Sequence, residues 1–125
     1  MASVSEKNGN SVSGGKPERG GLTGSGTGLE PKPIRVSVID DDPMICQAMS
    51  LILNDYSHGR IEVVSTSTDG ETCVRRAAEE KPDVVHICTP HYLHAPLACL
   101  AMERGCHVLT EKPMAIALAD ARRML

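Results

Sequence analysis

The chain has 125 residues, 41% hydrophobic and 23% charged, with a formal net charge of −3. That balance offers no basic footprint for nucleic acid, and two Tyr without Phe or Trp make no aromatic platform for stacked bases. No apolar run is long enough to cross a membrane, and five cysteines without a Cys-x-x-Cys pair fit free thiols in a cytoplasmic chain rather than a disulfide framework.

Residues 1–33 hold most of the glycines, many serines and no apolar run. Such a segment cannot bury enough apolar surface to offset its ordering entropy, so it reads as a disordered leader. It has neither the apolar centre of a signal peptide nor the pattern of an amphipathic transit helix. Residues 34–125 are then a single folding unit.

"IRVSVI" (34–39) is short and β-branched, hence a strand. In "DDDP", Asp42 suits a helix N-cap and Pro43 the first turn. Ile45, Ala48, Met49 and Ile52 follow at i, i+3, i+4 and i+7, an apolar helical stripe running to about residue 54. "SHGR" (57–60) ends it, and "IEVVST" (61–66) is a second strand. Thr68 and Glu71 have capping-box spacing, and Val74, Ala77 and Ala78 give the next helix its inner side until Lys81-Pro82. "DVVHIC" (83–88) is a third strand. A helix from His94 places Leu93, Leu97, Leu100 and Ala101 on one face, with Gly105 as its C-terminal cap. "HVLT" (107–110) is a fourth strand, and "MAIALADARRML" (114–125) a last helix with Leu118, Ala121 and Leu125 inward.

This strand–helix alternation predicts an α/β fold: a parallel sheet with right-handed crossovers and flanking helices. Ligands on such sheets gather at the carboxyl ends of the strands. The segments to watch are Asp40–Asp42, Ser67–Asp69, Cys88–His91 and Thr110–Lys112.

"VIDDDPMICQAMSLIL", with the second strand and "TSTDGETCVRRAAEEKPDVV", resembles the receiver domain of response regulators over residues 34–85. The resemblance implies that Asp40 and Asp41 help hold Mg²⁺, whose hard character suits carboxylates, and it implies a histidine kinase as partner. The phosphoacceptor position, at the end of the third strand, is held by Cys88, a soft ligand. On the residues alone, the three aspartates serve equally as a helix N-cap and a favourable charge for the helix dipole.

From about residue 83 the pattern changes. "VVHICTPHYLHAPLACLAMERGCHVLTEKPMAIALADARRML" resembles the nucleotide-binding domain of Gfo/Idh/MocA-type oxidoreductases, through the strand ending in Thr-Pro, the histidine that follows and above all "EKP" (111–113). The resemblance implies NAD(P) as cofactor. It places Thr89, Pro90 and His94 along the cofactor cleft, and Lys112 near the nicotinamide as the catalytic lysine, its turn shaped by Glu111 and Pro113. Without the resemblance, Lys112 reads as a solvated loop lysine. The glycine-rich turn of that family is replaced by "VIDDDPM", where three carboxylates repel a pyrophosphate and Pro43 lacks an amide donor.

Two smaller constellations accompany these. Cys88, His91 and His94 have C-x₂-H-x₂-H spacing, short of the four ligands of a structural zinc site. Cys88 is either a reactive thiol or a buried strand-end cysteine. Taken together, the chain reads as a chimera joined at "KPDVV" (81–85): designed, recombined or misassembled, with residues 34–85 receiver-like and 86–125 oxidoreductase-like. Both resembled families place their first strand beside the strand that opens the second half, which implies a sheet of order 2-1-3-4 with flanking helices, a truncated flavodoxin-like or Rossmann-like three-layer hybrid. Neither phosphotransfer nor hydride transfer is intact in that reading. Its other expectation is self-association, because "HVLT" is an open edge and one sheet face has only the first helix over it.

Overall fold

The computed structural model describes residue 28 and residues 30–125, so the leader reading for residues 1–33 lies almost wholly outside the described residues. Four strands form one parallel sheet: β1 (Ile34–Ile39), β2 (Ile61–Ser67), β3 (Val84–Ile87) and β4 (His107–Thr110), in the order β2-β1-β3-β4. This is the order that the two family resemblances imply. The helices are α1 (Pro43–Tyr56), α2 (Gly70–Glu80), α3 (His94–Glu103) and α4 (Leu118–Arg123), with a 3₁₀ turn at His91–Leu93.

β1 is central because it is apolar on both faces. Val36 and Val38 point to the side of α1, while Ile39 enters the core against α2 and α3 with Val85, Ile87, Leu97, Ala98 and Ala101. Ser37 and Ser65 hydrogen-bond each other at 2.8 Å beneath that layer. Small side chains there let α2 approach the sheet, and Cβ on Gly70 would meet Leu97 at 3.0 Å. None of the described helices is long and apolar enough to cross a membrane.

The shared word "KPDVV" is tied to both of its neighbours. Lys81 ends α2 in the left-handed region at φ 48°. Asp83 then accepts the Arg35 N–H on its carboxylate at 2.8 Å and donates its own N–H to Arg35 O. Its carbonyl takes the N–H of His107, so one residue pins β3 between β1 and β4.

Three helix readings are corrected. In α1 the stripe Ile45, Ala48, Met49, Ile52 is not the packed side: Ile45 is 43% and Ile52 50% exposed, and Cys46 is the buried residue. Cys46 Sγ donates to Asp40 O and Ser67 O, which turns that position inward. In α2 the cap is Asp69, not Thr68; its carboxylate accepts the Thr72 N–H at 2.8 Å. In α4 the helix begins at Leu118 rather than at Met114, and Leu118 and Leu125 are exposed, leaving Met124 to reach the core. The Gly105 cap is as expected, at φ 80° with its N–H on Met102 O.

The Asp69 carboxyl is held below its ordinary range by the Thr72 N–H first, then by the Thr72 hydroxyl. A depressed folded value stabilises the protein above the unfolded carboxyl pKa of about 4, and that contribution is lost as pH falls through the folded value. Asp69→Ala is therefore expected to lower the thermal midpoint at pH 7. The gap from the parent should shrink as the pH drops below about 4, as read by circular dichroism melts.

The two sheet faces are unequally covered. α2, α3 and α4 share one face, and α1 packs on β1 and β2. Beyond α1, on the same face, Leu109 of β4 is 55% exposed. An apolar residue on an open edge strand is the exposure the sequence leads one to expect there.

Candidate functional site

The carboxyl ends of the strands bring the predicted residues into two groups. The first is the turn after β1. Asp40 is buried, and its Oδ1 accepts the Asp42 N–H at 2.7 Å. Asp42 Oδ1 accepts the Met44 N–H at 2.8 Å, and Pro43 has no N–H to give. At the start of α1, the usual seat for an anion, the protein's own carboxylates thus engage the Met44 N–H and the Asp42 N–H just before the helix. Asp41 is exposed beside them. Among the described residues, Asp40 and Asp41 gather no third metal-ligating side chain, so the Mg²⁺ reading gains no support here.

The second group lies beyond β3 and β4. Thr89 and His94 are buried, at 6% and 1% exposure. His94 Nε2 lies 2.8 Å from Thr89 O and Nδ1 lies 2.8 Å from Pro113 O. Carbonyls only accept, so both are satisfied at once only when both ring nitrogens carry protons. His94 thereby ties the end of β3 to the turn after β4. That turn is further fixed by Glu111 N–H on Ile87 O, and its Lys112–Pro113 peptide is cis. Lys112 stands exposed at its tip, with no ion pair among the described residues. Pro90 is the residue from which the His91–Leu93 turn starts. Thr89 Oγ1 and Ser67 Oγ are buried without a hydrogen-bond partner among the described residues.

The spacing Cys88, His91, His94 does not become a cluster. His91 is exposed on the 3₁₀ turn, and both His94 nitrogens face backbone carbonyls. The side chains that do converge with Cys88 are His86 and Glu111. Burial pushes the Cys88 thiol up to about 11, with the Glu111 and Asp40 carboxylates and Cys46 adding to the rise. A raised thiol value favours the protonated, poorly nucleophilic form, which speaks for the buried strand-end cysteine over the reactive one.

The sequence of residues 48–125, more than half of the chain, matches a protein family described as the oxidoreductase family with an NAD-binding Rossmann fold, Gfo/Idh/MocA. The chain belongs to the Gfo/Idh/MocA oxidoreductase family. It is 48% identical over 44 residues to D-glucoside 3-dehydrogenase of Escherichia coli, a match covering 35% of this chain and 12% of that protein. The chain spans only 12–18% of the length of the curated relatives it matches. Its fold is that of the WlbA dehydrogenase of Bordetella pertussis, solved with NADH and UDP-GlcNAcA, at a TM-score of 0.59 and 22% identity, over 74% of this chain and 32% of that one. It is also that of the signal receiver domain of the response regulator NarL of Mycobacterium tuberculosis, at a TM-score of 0.55 and 20% identity, over 75% and 77%.

The Gfo/Idh/MocA match reaches back into α1, well before the join expected at 81–85. β2 and α2, assigned above to the receiver-like half, lie inside it. What stands outside is β1, the acidic turn and the first residues of α1. NAD, the family's cofactor, therefore meets residues that fit on one side only. Thr89 offers a buried, unpartnered hydroxyl at the end of β3, and Lys112 an exposed amine on a fixed turn. On the other side, the Asp42 and Met44 N–H groups are taken by carboxylates, whose charge repels a pyrophosphate at that turn.

Proposed function

We propose that this chain carries the nicotinamide-side part of an NAD(P)-dependent Gfo/Idh/MocA cofactor domain behind a receiver-like opening, and that it performs neither hydride transfer nor phosphotransfer by itself. The observation that carries this reading is the self-capped turn Asp40–Pro43, in which Asp40 and Asp42 accept the Asp42 and Met44 N–H groups and set carboxylates where a pyrophosphate would sit. The remaining features support the oxidoreductase side. Thr89, Pro90 and the Glu111-Lys112-Pro113 turn sit at the ends of β3 and β4, where ligands of open α/β sheets bind. His94 contributes by holding Thr89 and Pro113 together rather than by lining the cleft with its ring. In a complete site Lys112 would assist hydride exchange between NAD(P) and a sugar-like or polyol substrate, the class suggested by the D-glucoside 3-dehydrogenase relative.

The receiver reading is favoured by the breadth of the fold likeness to NarL, which spans 77% of that domain. It is opposed by Cys88 at the end of β3, where no carboxylate stands to accept a phosphoryl group. A histidine kinase partner belongs to that reading alone. Self-association through β4 and Leu109 is compatible with either.

Calorimetric titration with NADH tests the proposal. Binding weaker than about 1 mM, less than about 4 kcal/mol, is expected. A micromolar Kd would show that the acidic turn accommodates the pyrophosphate after all. In parallel, acetyl phosphate with Mg²⁺ should leave the intact mass unchanged; a gain of one phosphoryl group would restore the receiver function.

A further inference from the structure

We propose that His86, Cys88 and Glu111 form a binding site for a borderline-soft divalent cation of the zinc class, with three protein ligands and a fourth position left to water. One potential ligand atom from each residue lies within 4.8 Å of the other two. The convergence has a simple cause. Side chains alternate across a strand, so His86 and Cys88, two residues apart, leave β3 on the same face. In the parallel register His86 stands beside Leu109 and Ile87 beside Thr110. Continuing that register brings Glu111 to the flank of Cys88, and the Glu111 N–H on Ile87 O fixes the placement.

The dimensions and the chemistry suit the ion. Zinc holds imidazole nitrogen and carboxylate oxygen at about 2.0–2.2 Å and thiolate sulfur at about 2.3 Å, so the N···O edge of a tetrahedral site is about 3.4 Å long. His86 Nε2 and Glu111 Oε1 are 3.3 Å apart. The sulfur edges of such a site are about 3.5 Å long, so Cys88 needs at most about 1.3 Å of closing movement from a spacing no greater than 4.8 Å. One buried imidazole, one half-buried thiol and one carboxylate more than half exposed leave the site walled on one side and open on the other. That is the layout of a three-ligand site with an exchangeable fourth position. In the bound state the neutral imidazole carries its proton on Nδ1, the thiol proton has left to solvent, and Nε2, Sγ and Oε1 coordinate. One thiolate and one carboxylate then balance the dication, so no net charge is buried. Asp40, close enough to act electrostatically on Cys88, adds negative potential that favours a cation.

The test is titration of the full chain with Co²⁺ under a non-thiol reductant, read by absorption, and with Zn²⁺ by calorimetry. One ion per chain is expected, with a sulfur-to-cobalt charge-transfer band and the intense ligand-field bands of a tetrahedral site. Mg²⁺, which avoids thiolate, should not compete. Removing an outer partner of a metal site costs about 10–100-fold in affinity, so Cys88→Ser and Glu111→Gln, which remove ligands, should each lose at least about tenfold. Cys88→Ser should also abolish the charge-transfer band, while Cys99→Ser, a half-buried cysteine on α3, should change neither readout. Glu111 is exposed, so its variant reports on the site even if Cys88→Ser folds poorly. Absence of binding, a band that persists in Cys88→Ser, or unchanged affinity in Glu111→Gln would each overturn the assignment.

Discussion

Ile87→Ala is expected to cost about 2–5 kcal/mol, and Leu109→Ala on the neighbouring strand less than about 1 kcal/mol. The two residues lie on adjacent strands and differ in what covers them. Ile87 is fully buried between β1, α2 and α3, at the centre of the cluster that includes Ile39, Val85, Leu97 and Ala98. Truncating it removes the transfer free energy of three carbons and leaves a cavity that strand neighbours on both sides keep from collapsing. Leu109 is 55% exposed on the α1 side of the sheet, past the strands that α1 covers, so most of its surface is wet in the folded state already. A domain of this size holds roughly 5–14 kcal/mol of stability, and one with an uncovered sheet face belongs at the low end. Ile87→Ala should therefore move the urea midpoint by a large fraction of its value and leave a substantial population unfolded in buffer. Urea titrations followed by far-UV circular dichroism at several protein concentrations make the comparison. Equal losses for the two variants would mean that Leu109 is covered in solution by a second copy, and a midpoint that rises with protein concentration would say the same.

The sheet was legible because its information is local. Each strand is a short β-branched run bounded by Gly, Pro or Asp, and "HVLT" and "IRVSVI" are strands with the bounds the sequence suggests. Parallel strands with right-handed crossovers follow from the alternation, whereas the order β2-β1-β3-β4 rests on the two family resemblances. The rotation of α1 was not legible. Met44, Ile45, Ala48, Met49, Leu51, Ile52 and Leu53 surround nearly the whole helix with apolar side chains, so a stripe at helical spacing can be drawn on more than one side. What decides it is Cys46, whose thiol finds the carbonyls of Asp40 and Ser67, a contact made across the fold. The metal-ligating cluster was missed for the same reason. Spacing along the chain pairs Cys88 with His91 and His94, but those positions turn away through a 3₁₀ turn. Its actual members, His86 and Glu111, are separated by 25 residues and meet through the β3–β4 register. Alternation on β3 together with a parallel neighbour ending in "TEKP" would have been the signal.

His94→Phe is expected to destabilise the chain by about 1–3 kcal/mol for each carbonyl it leaves without a donor and, more tellingly, to release the turn that carries Lys112. The ring is 1% exposed and spans Thr89 O and Pro113 O at 2.8 Å each. Phenylalanine fills the space and donates nothing, so the loss reports the hydrogen bonds rather than a cavity. The two acceptors belong to different segments, one at the end of β3 and one in the turn after β4. Cutting the bridge should therefore act locally before it acts globally, since segments with few buried contacts open first. Residues 111–117 are mostly exposed, and among the described residues the bridge joins the Glu111 N–H on Ile87 O and the Glu111 carboxylate beside His86 Nε2 in holding that turn to the sheet. Amide hydrogen exchange at Glu111, Met114 and Ala115 should accelerate in His94→Phe well beyond the change in global stability, while β1 amides change only with the global value. His94→Gln keeps an amide nitrogen that can donate to one of the two carbonyls, giving a smaller effect than His94→Phe at the same amides. If exchange at residues 111–117 followed global stability in both variants, His94 would be a packing residue and the position of Lys112 would depend on something other than this bridge.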